Sequence, residues 1–265
     1  MKKFTSLFFI FLSLNFISCS EQEQKKPGNS ESINFDFGPV DAFMKKYVKD
    51  GKVKYEEVLN DKALDQYTAQ VKNTEPYNIE NANERLAFWI NAYNAFTIKL
   101  ITDYYPVNSI LDIEQKTGAN PWKMKFIEMA GGRKFSLDEI EKEIIIPDYK
   151  DPRIHYALVC AAESCPVLIS EAYTQEKLNA QLDRQAEVFL NDRSKNYIDK
   201  TENELYLSTI FKWYARDFVK KDSSVIKHVL KYINPEDKDF IISNKTEDIN
   251  YLDYSWKLND VKETN

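Results

Sequence analysis

The chain has 265 residues, with 36 Lys and Arg against 42 Asp and Glu, and a net charge of −6 at neutral pH. An acidic chain without a long basic run is a poor partner for nucleic acid, because phosphate contacts need clustered Lys and Arg. Aromatic residues make up 14% of it and only 6 positions are glycine, a composition that excludes low-complexity and collagen-like chains and fits a packed globular one.

The chain begins Met1-Lys2-Lys3, followed by an apolar run from Leu7 to Ile17 that Ser13 and Asn15 interrupt. A charged start and an apolar stretch of this length read as a secretory signal, too short to span as a mature helix. The run ends in Phe16-Ile17-Ser18-Cys19, which resembles the lipobox of bacterial lipoproteins, although Phe16 departs from the usual Leu. That resemblance implies cleavage after residue 18, a lipid on Cys19 and a place on the bacterial outer membrane, at its periplasmic face or at the cell surface. The alternative is an ordinary cleaved signal with Cys19 incidental. Loss of Lys2 and Lys3 leaves the mature chain two charges more acidic. Residues 19–35 are polar, contain Pro27 and Gly28, and read as a flexible tether. Residues 36–260 are enough for one globular domain.

Val40, Phe43, Met44, Tyr47 and Val48 follow helical spacing up to Asp50-Gly51; Val53 and Tyr55 then alternate as a short strand. Leu64, Tyr67 and Val71 mark a second helix. From about Asn83 to Tyr105 the chain is apolar on nearly all sides, the pattern of a helix buried in the core. Trp122 to Phe135, turning at Ala130-Gly-Gly132, reads as a hairpin, and Ser136-Leu-Asp-Glu139 as a capping box. Thr174 is expected to cap a long helix through Phe189. Tyr197-Ile198 and Leu205-Tyr-Leu207 form a second hairpin, Ser208 opens another helix, and helices over 223–233 and 235–242 precede a strand-like Tyr251–Leu258. The fold class is α+β: a mostly helical domain around a buried central helix, with a small antiparallel sheet, papain-like in layout.

The most informative stretch is Asp151-Pro-Arg-Ile-His-Tyr-Ala-Leu-Val-Cys-Ala-Ala-Glu-Ser-Cys-Pro166, which gathers one of the 2 histidines and two of the 3 cysteines. Ile154 to Cys160 is apolar and β-prone and reads as a buried strand; Ala161 to Pro166 reads as a loop. On a regular strand Cys160 points away from His155, whereas Cys165 is free to turn back toward it. His228 falls opposite the apolar stripe of its helix and reads as solvated.

Several segments together resemble an uncharacterised family, catalogued as domain of unknown function 547. They are Asp50-Gly-Lys-Val-Lys-Tyr55, Leu86-Ala-Phe-Trp-Ile-Asn-Ala-Tyr-Asn-Ala-Phe96, Ser136-Leu137 with Ile140-Glu141, the Asp151–Pro166 stretch, Leu207-Ser-Thr-Ile-Phe-Lys-Trp-Tyr214 with Asp217-Phe218, and Tyr254-Ser-Trp-Lys-Leu-Asn259. The resemblance covers nearly all of the mature chain and implies one domain, without an assigned activity. The family pattern has Asp after Tyr254, where Ser255 stands here, so nothing is carried over for that position.

Four readings of the His/Cys stretch stay open. Cys165 is the better candidate nucleophile, with His155 as its base and Asn91 or Asn94 orienting the imidazole or binding an oxyanion. Alternatively Cys160 and Cys165 form a disulfide, as an oxidising envelope allows. His155, Cys160 and Cys165 are zinc-ligand types but lack a clear fourth partner, or the cysteines are simply buried. Arg153, Glu163 and Glu141 are candidate binding residues, with structural pairing the competing role for Arg153. Trp89, Trp122, Trp213 and Trp256 could line a sugar or peptide groove or fill the core. No phosphate loop, zinc-protease or serine-hydrolase motif is present, and no metal or cofactor is assigned. If the protein is an enzyme, it is a cysteine-nucleophile hydrolase or acyl transferase acting on a peptide, an amide or a small molecule. The alternative is a non-catalytic envelope binding domain whose Cys loop is structural.

Overall fold

The computed structural model describes residues 32–261, and packing begins almost at once. Ile33 N–H donates to the Asn78 carbonyl, and buried Phe35 meets Phe37, Tyr67 and Phe88 edge-on. The tether therefore gives way to ordered chain before residue 36, because Phe35 has an aromatic pocket to fill. The leader, Cys19 and most of the tether lie outside the described residues.

Helix α1 (Gly38–Tyr47) opens with Pro39, whose fixed φ suits a first turn, and buries Val40, Phe43, Met44 and Tyr47. Strands β1 (Val48–Lys49) and β2 (Lys52–Val53) pair antiparallel across Asp50-Gly51. Both turn residues have positive φ, 50° and 79°, the conformation a tight two-residue hairpin demands. Gly51 is required twice over, since a Cβ there falls 2.8 Å from Val167 Cγ1. Helices α2 (Tyr55–Val58) and α3 (Ala63–Lys72) follow.

Helix α4 (Ala82–Tyr104) organises the rest. The Asn81 side chain caps it by accepting from Asn83 N–H and Glu84 N–H, and the helix buries residues around its whole circumference, Leu86 to Ile101. Among the described residues no helix is long and apolar enough to cross a membrane. Helix α5 (Leu111–Thr117) then leads to the hairpin β3 (Ile127–Glu128) and β4 (Lys134–Phe135). The Ser136 box forms as expected: Ser136 N–H donates to Glu139 and Glu139 N–H to Ser136 Oγ. It opens a π-helical turn, Glu139–Ile145, which runs on into α6 (Ile146–Tyr149).

The expected strand over Ile154–Cys160 does not form. Pro152 and the Asp151 carboxylate, which accepts from Arg153 N–H, instead start a 3₁₀ helix, Pro152–Tyr156. The backbone beyond it pairs with a side chain rather than a strand: Asn94 Nδ2 donates to Ala157 O and Asn94 Oδ1 accepts from Val159 N–H, each at 2.9 Å. Ala161 then turns through a left-handed φ of 62°. Helix α7 (Leu178–Leu190) begins after Lys177, past the expected Thr174 cap; a turn closed by Lys177 N–H on Thr174 O precedes it, and Thr174 N–H donates to Gln181 Oε1.

Strand β5 (Tyr197–Asp199) pairs antiparallel with β6 (Glu204–Ser208). Helices α8 (Ile210–Trp213), α9 (Ala215–Asp222), α10 (Val225–Val229) and α11 (Pro235–Asn244) precede β7 (Ile249–Leu252). That last strand runs parallel to β6, so this sheet is mixed, not antiparallel. The architecture is α+β, with helices dominating small sheets. Beyond β7 the chain crosses the cysteine loop: Glu163 N–H donates to Lys257 O and Asn259 N–H to Ala161 O. One apolar cluster surrounds α4; a second contains Tyr156, Phe189, Phe211 and Phe218, and Tyr254 packs against both.

His228 packs against Tyr156 and Phe218 of the second cluster and is buried, contrary to its helical-wheel position. Its Nδ1–H donates to Asp222 at 2.6 Å, and Nε2 accepts from the Tyr156 hydroxyl at 2.9 Å. A five-residue helix has no far side of its own, and neighbouring Phe218 and Tyr232 cover the ring. Burial holds the imidazole below its ordinary pKa. The unfolded chain therefore binds the proton first, and stability is lost as pH falls below about 6.5. Between pH 7.5 and 5 the unfolding free energy is expected to fall by at most about 1.4 kcal/mol per pH unit. Urea titrations of the native chain and of His228→Gln check this, the variant giving the flatter profile.

Candidate functional site

Residues from α4, the π-turn, the 3₁₀ helix, the cysteine loop, α8 and the C-terminal segment line one cleft of about 470 Å³. This is the size of a small-ligand site. Its floor is polar and largely buried. His155 Nε2 lies 2.9 Å from Asp217 Oδ2, and the imidazole stacks on Tyr214 with ring centroids 4.0 Å apart. The hydrogen bond from His155 holds the Asp217 carboxyl below the usual carboxylate range. An ionised carboxylate only accepts, so Nε2 carries a proton toward Asp217. His155 lines the cleft while almost fully buried, 4% exposed, with Nε2 turned to Asp217.

Glu141 completes the floor. Tyr93 donates to one carboxylate oxygen at 3.1 Å and Tyr214 to the other at 2.6 Å. Burial, together with the Glu141 charge, pushes the Tyr214 phenol well up, so it stays a donor. The π-turn matters here. Its wider register sets Glu141 among the buried residues Ile140, Ile144 and Ile145 while its carboxylate still reaches the cleft.

One wall carries both cysteines, joined as a disulfide. The Tyr254 hydroxyl lies 3.3 Å from Cys160 Sγ and 3.0 Å from Cys165 Sγ, and Cys160 N–H points at Cys165 Sγ from 3.2 Å. Cys165 is 3% exposed and Cys160 half-buried. In this form neither sulfur is a thiol, so the His-Cys-Cys zinc set lacks its thiolates. Among the described residues no group of three His, Cys, Asp or Glu is placed to hold a metal ion. From Tyr254 the lining continues as an aromatic wall: Trp213 stacks on Trp256 at 5.9 Å, and Trp256 meets Trp122 at 5.4 Å and Tyr254 at 4.7 Å. At the rim Lys142 pairs with Asp138 at 2.7 Å, beside Lys123 and Asn120.

The sequence-derived candidates divide. His155, Cys165 and Glu141 share the cleft, as do Trp122, Trp213 and Trp256; Trp89 is a core residue against Phe88 and Phe135. Asn91 and Asn94 do not line it. Asn91 ties down Tyr173 through its N–H and carbonyl, as Asn94 ties down Ala157 and Val159, so the orienting partner of His155 is Asp217 instead. Arg153 forms a fork with Asp151 and reaches Asp183 at 2.8 Å, and Glu163 holds Lys257 at the surface. Asp217, Tyr214, Tyr93 and Tyr254 were not foreseen as site residues. The signal available for the first two is their spacing of three, which puts them on one side of the helical α8–α9 run.

Residues 77–190 match the model of the family described as Protein of unknown function, DUF547, which supports the resemblance for the motifs inside that span and does not reach Asp50–Tyr55, Leu207–Phe218 or Tyr254–Asn259. The matched span holds Glu141, His155 and both cysteines, while Tyr214, Asp217, Tyr254 and Trp256 lie beyond it. No curated protein and no solved structure matches the chain significantly.

Proposed function

We propose that the chain is a cell-envelope lipoprotein, anchored at the outer membrane through lipid on Cys19, whose domain binds a short peptide in the Trp/Tyr-walled cleft. The observation that carries the reading is the pairing of an aromatic wall with a polar floor. Trp122, Trp213, Trp256 and Tyr254 offer flat apolar surface, while the Glu141 carboxylate and the His155 imidazole line the floor. Such a floor suits a ligand that brings N–H or ammonium donors, and disfavours a carboxylated or phosphorylated one. With both sulfurs bonded to each other, Cys165 has no thiol to form a thioester.

Trp213 is 49% exposed, so its fluorescence reports binding. Titration with short peptides is expected to shift the emission, and Trp213→Ala to weaken affinity about tenfold, the effect of losing an interface tryptophan worth more than 1 kcal/mol. Binding of oligosaccharides in place of peptides overturns the reading. Labelled palmitate in the mature chain, lost in Cys19→Ser, tests the anchor. A second reading draws on the His155–Asp217 pair: amide hydrolysis or acyl transfer through Cys165, with His155 Nδ1 as base. It requires the disulfide to be reduced first, so hydrolysis that appears only after reduction and vanishes in Cys165→Ser supports it.

A further inference from the structure

We propose that Cys160–Cys165 is an exchangeable disulfide that oxidises a dithiol polypeptide held in the cleft. The inference rests on the peptide-binding reading and adds an activity to it. Three observations carry it. Both cysteines line the cleft at the edge of the core, Cys160 the more exposed residue and Cys165 the buried one. The buried sulfur already has two donors on it, Cys160 N–H at 3.2 Å and the Tyr254 hydroxyl at 3.0 Å. Neither is needed by a neutral disulfide, but both stabilise a departing thiolate, and a stabilised leaving group speeds exchange. Finally, the loop does not depend on the bond for its place. Ala162 bridges to Leu258, Glu163 N–H donates to Lys257 O and Asn259 N–H to Ala161 O, so both sulfurs stay positioned once it opens.

The steps balance as follows. His155, which lines the same cleft with Nε2 on Asp217, takes the proton of the incoming thiol on Nδ1. The resulting thiolate attacks Cys160 Sγ, the Cys160–Cys165 bond breaks, and Cys165 leaves as a thiolate held by Tyr254 and Cys160 N–H. The second thiol of the polypeptide loses its proton and attacks the polypeptide's own sulfur in the mixed disulfide, expelling Cys160. Two electrons pass from the polypeptide to the protein: a disulfide forms on the former and two thiols on the latter, which take up the released protons.

The test uses the full chain in detergent, unreduced, with a short reduced peptide carrying a pair of cysteines and its serine counterpart. After acid quenching and alkylation, mass spectrometry counts thiols over time. The expected result is oxidised peptide together with two new alkylated cysteines, Cys160 and Cys165, formed at least about a hundredfold faster than with oxidised glutathione at the same concentration. Tyr254→Phe is expected to slow the exchange about tenfold, the effect of one charge-assisted hydrogen bond lost from the leaving sulfur. Exchange no faster than with oxidised glutathione, while the serine peptide still binds, overturns the redox proposal and leaves the binding reading standing. A serine peptide that does not bind overturns the binding reading itself. An unchanged rate in Tyr254→Phe overturns the assignment of Cys165 as the stabilised leaving group.

Discussion

Asn94→Ala is expected to lower the unfolding free energy by about 3 kcal/mol, from two buried backbone groups each left without a partner. Asn94 is 2% exposed, and its amide does for the Ala157–Val159 backbone what a neighbouring strand does elsewhere: it donates to one carbonyl and accepts from one N–H. Alanine supplies neither group and admits no solvent in compensation. Asn94→Asp keeps the acceptor for Val159 but turns an oxygen toward the Ala157 carbonyl, so it is expected to cost at least as much. The comparison is Asn60→Ala, whose amide reaches only the exposed Glu56 carbonyl and whose loss is expected to stay within about 0.5 kcal/mol. Urea denaturation at pH 7.5 reads all three. An Asn94→Ala midpoint equal to that of Asn60→Ala would mean the amide is not what holds the segment between His155 and Cys160.

The same amide explains where the sequence reading succeeded and failed. Helix α4 was legible because its apolar positions run round the whole cylinder, a pattern only a buried helix tolerates, and the Ser136 box because its two partners are three residues apart. The run from Ile154 to Cys160 has β-prone residues, yet propensity does not say which group will pair with its backbone. Here the partner is a side chain 63 and 65 positions away, and Pro152 has already wound the preceding residues into a 3₁₀ turn. With no pleat, the argument that Cys160 faces away from His155 had no basis, and both sulfurs turn into one cleft. His228 failed for a related reason: a wheel ranks faces within one helix, whereas Asp222 and Tyr156 come from outside it. Asp217 escaped because its partnership with His155 spans 62 residues and nothing local announces it.

Glu141 is the residue through which that cleft and the core are joined, and its two oxygens predict a separation of stability from binding. Tyr93 is buried with its hydroxyl on Glu141; Tyr214 is half-buried at the cleft, where water can replace the carboxylate. Glu141→Ala therefore orphans one buried hydroxyl and opens a void, with an expected cost of about 2–4 kcal/mol. It also frees Tyr214, whose ring is stacked on His155, so the imidazole keeps only Asp217 of the two supports that hold it in the cleft lining. Glu141→Gln keeps an oxygen for one tyrosine, and the other hydroxyl can rotate to accept from the amide, so its cost is expected to be about 1 kcal/mol or less. What glutamine cannot restore is the negative charge. If peptide N–H or ammonium donors are read by a charged acceptor, Glu141→Gln weakens binding about tenfold in a chain that remains folded, in line with the greater strength of charge-assisted hydrogen bonds. Calorimetric titration of the native chain and Glu141→Gln, alongside their urea midpoints, decides the point. Equal affinities would show that Glu141 serves the architecture of the floor and leave recognition to His155 and the tryptophan wall.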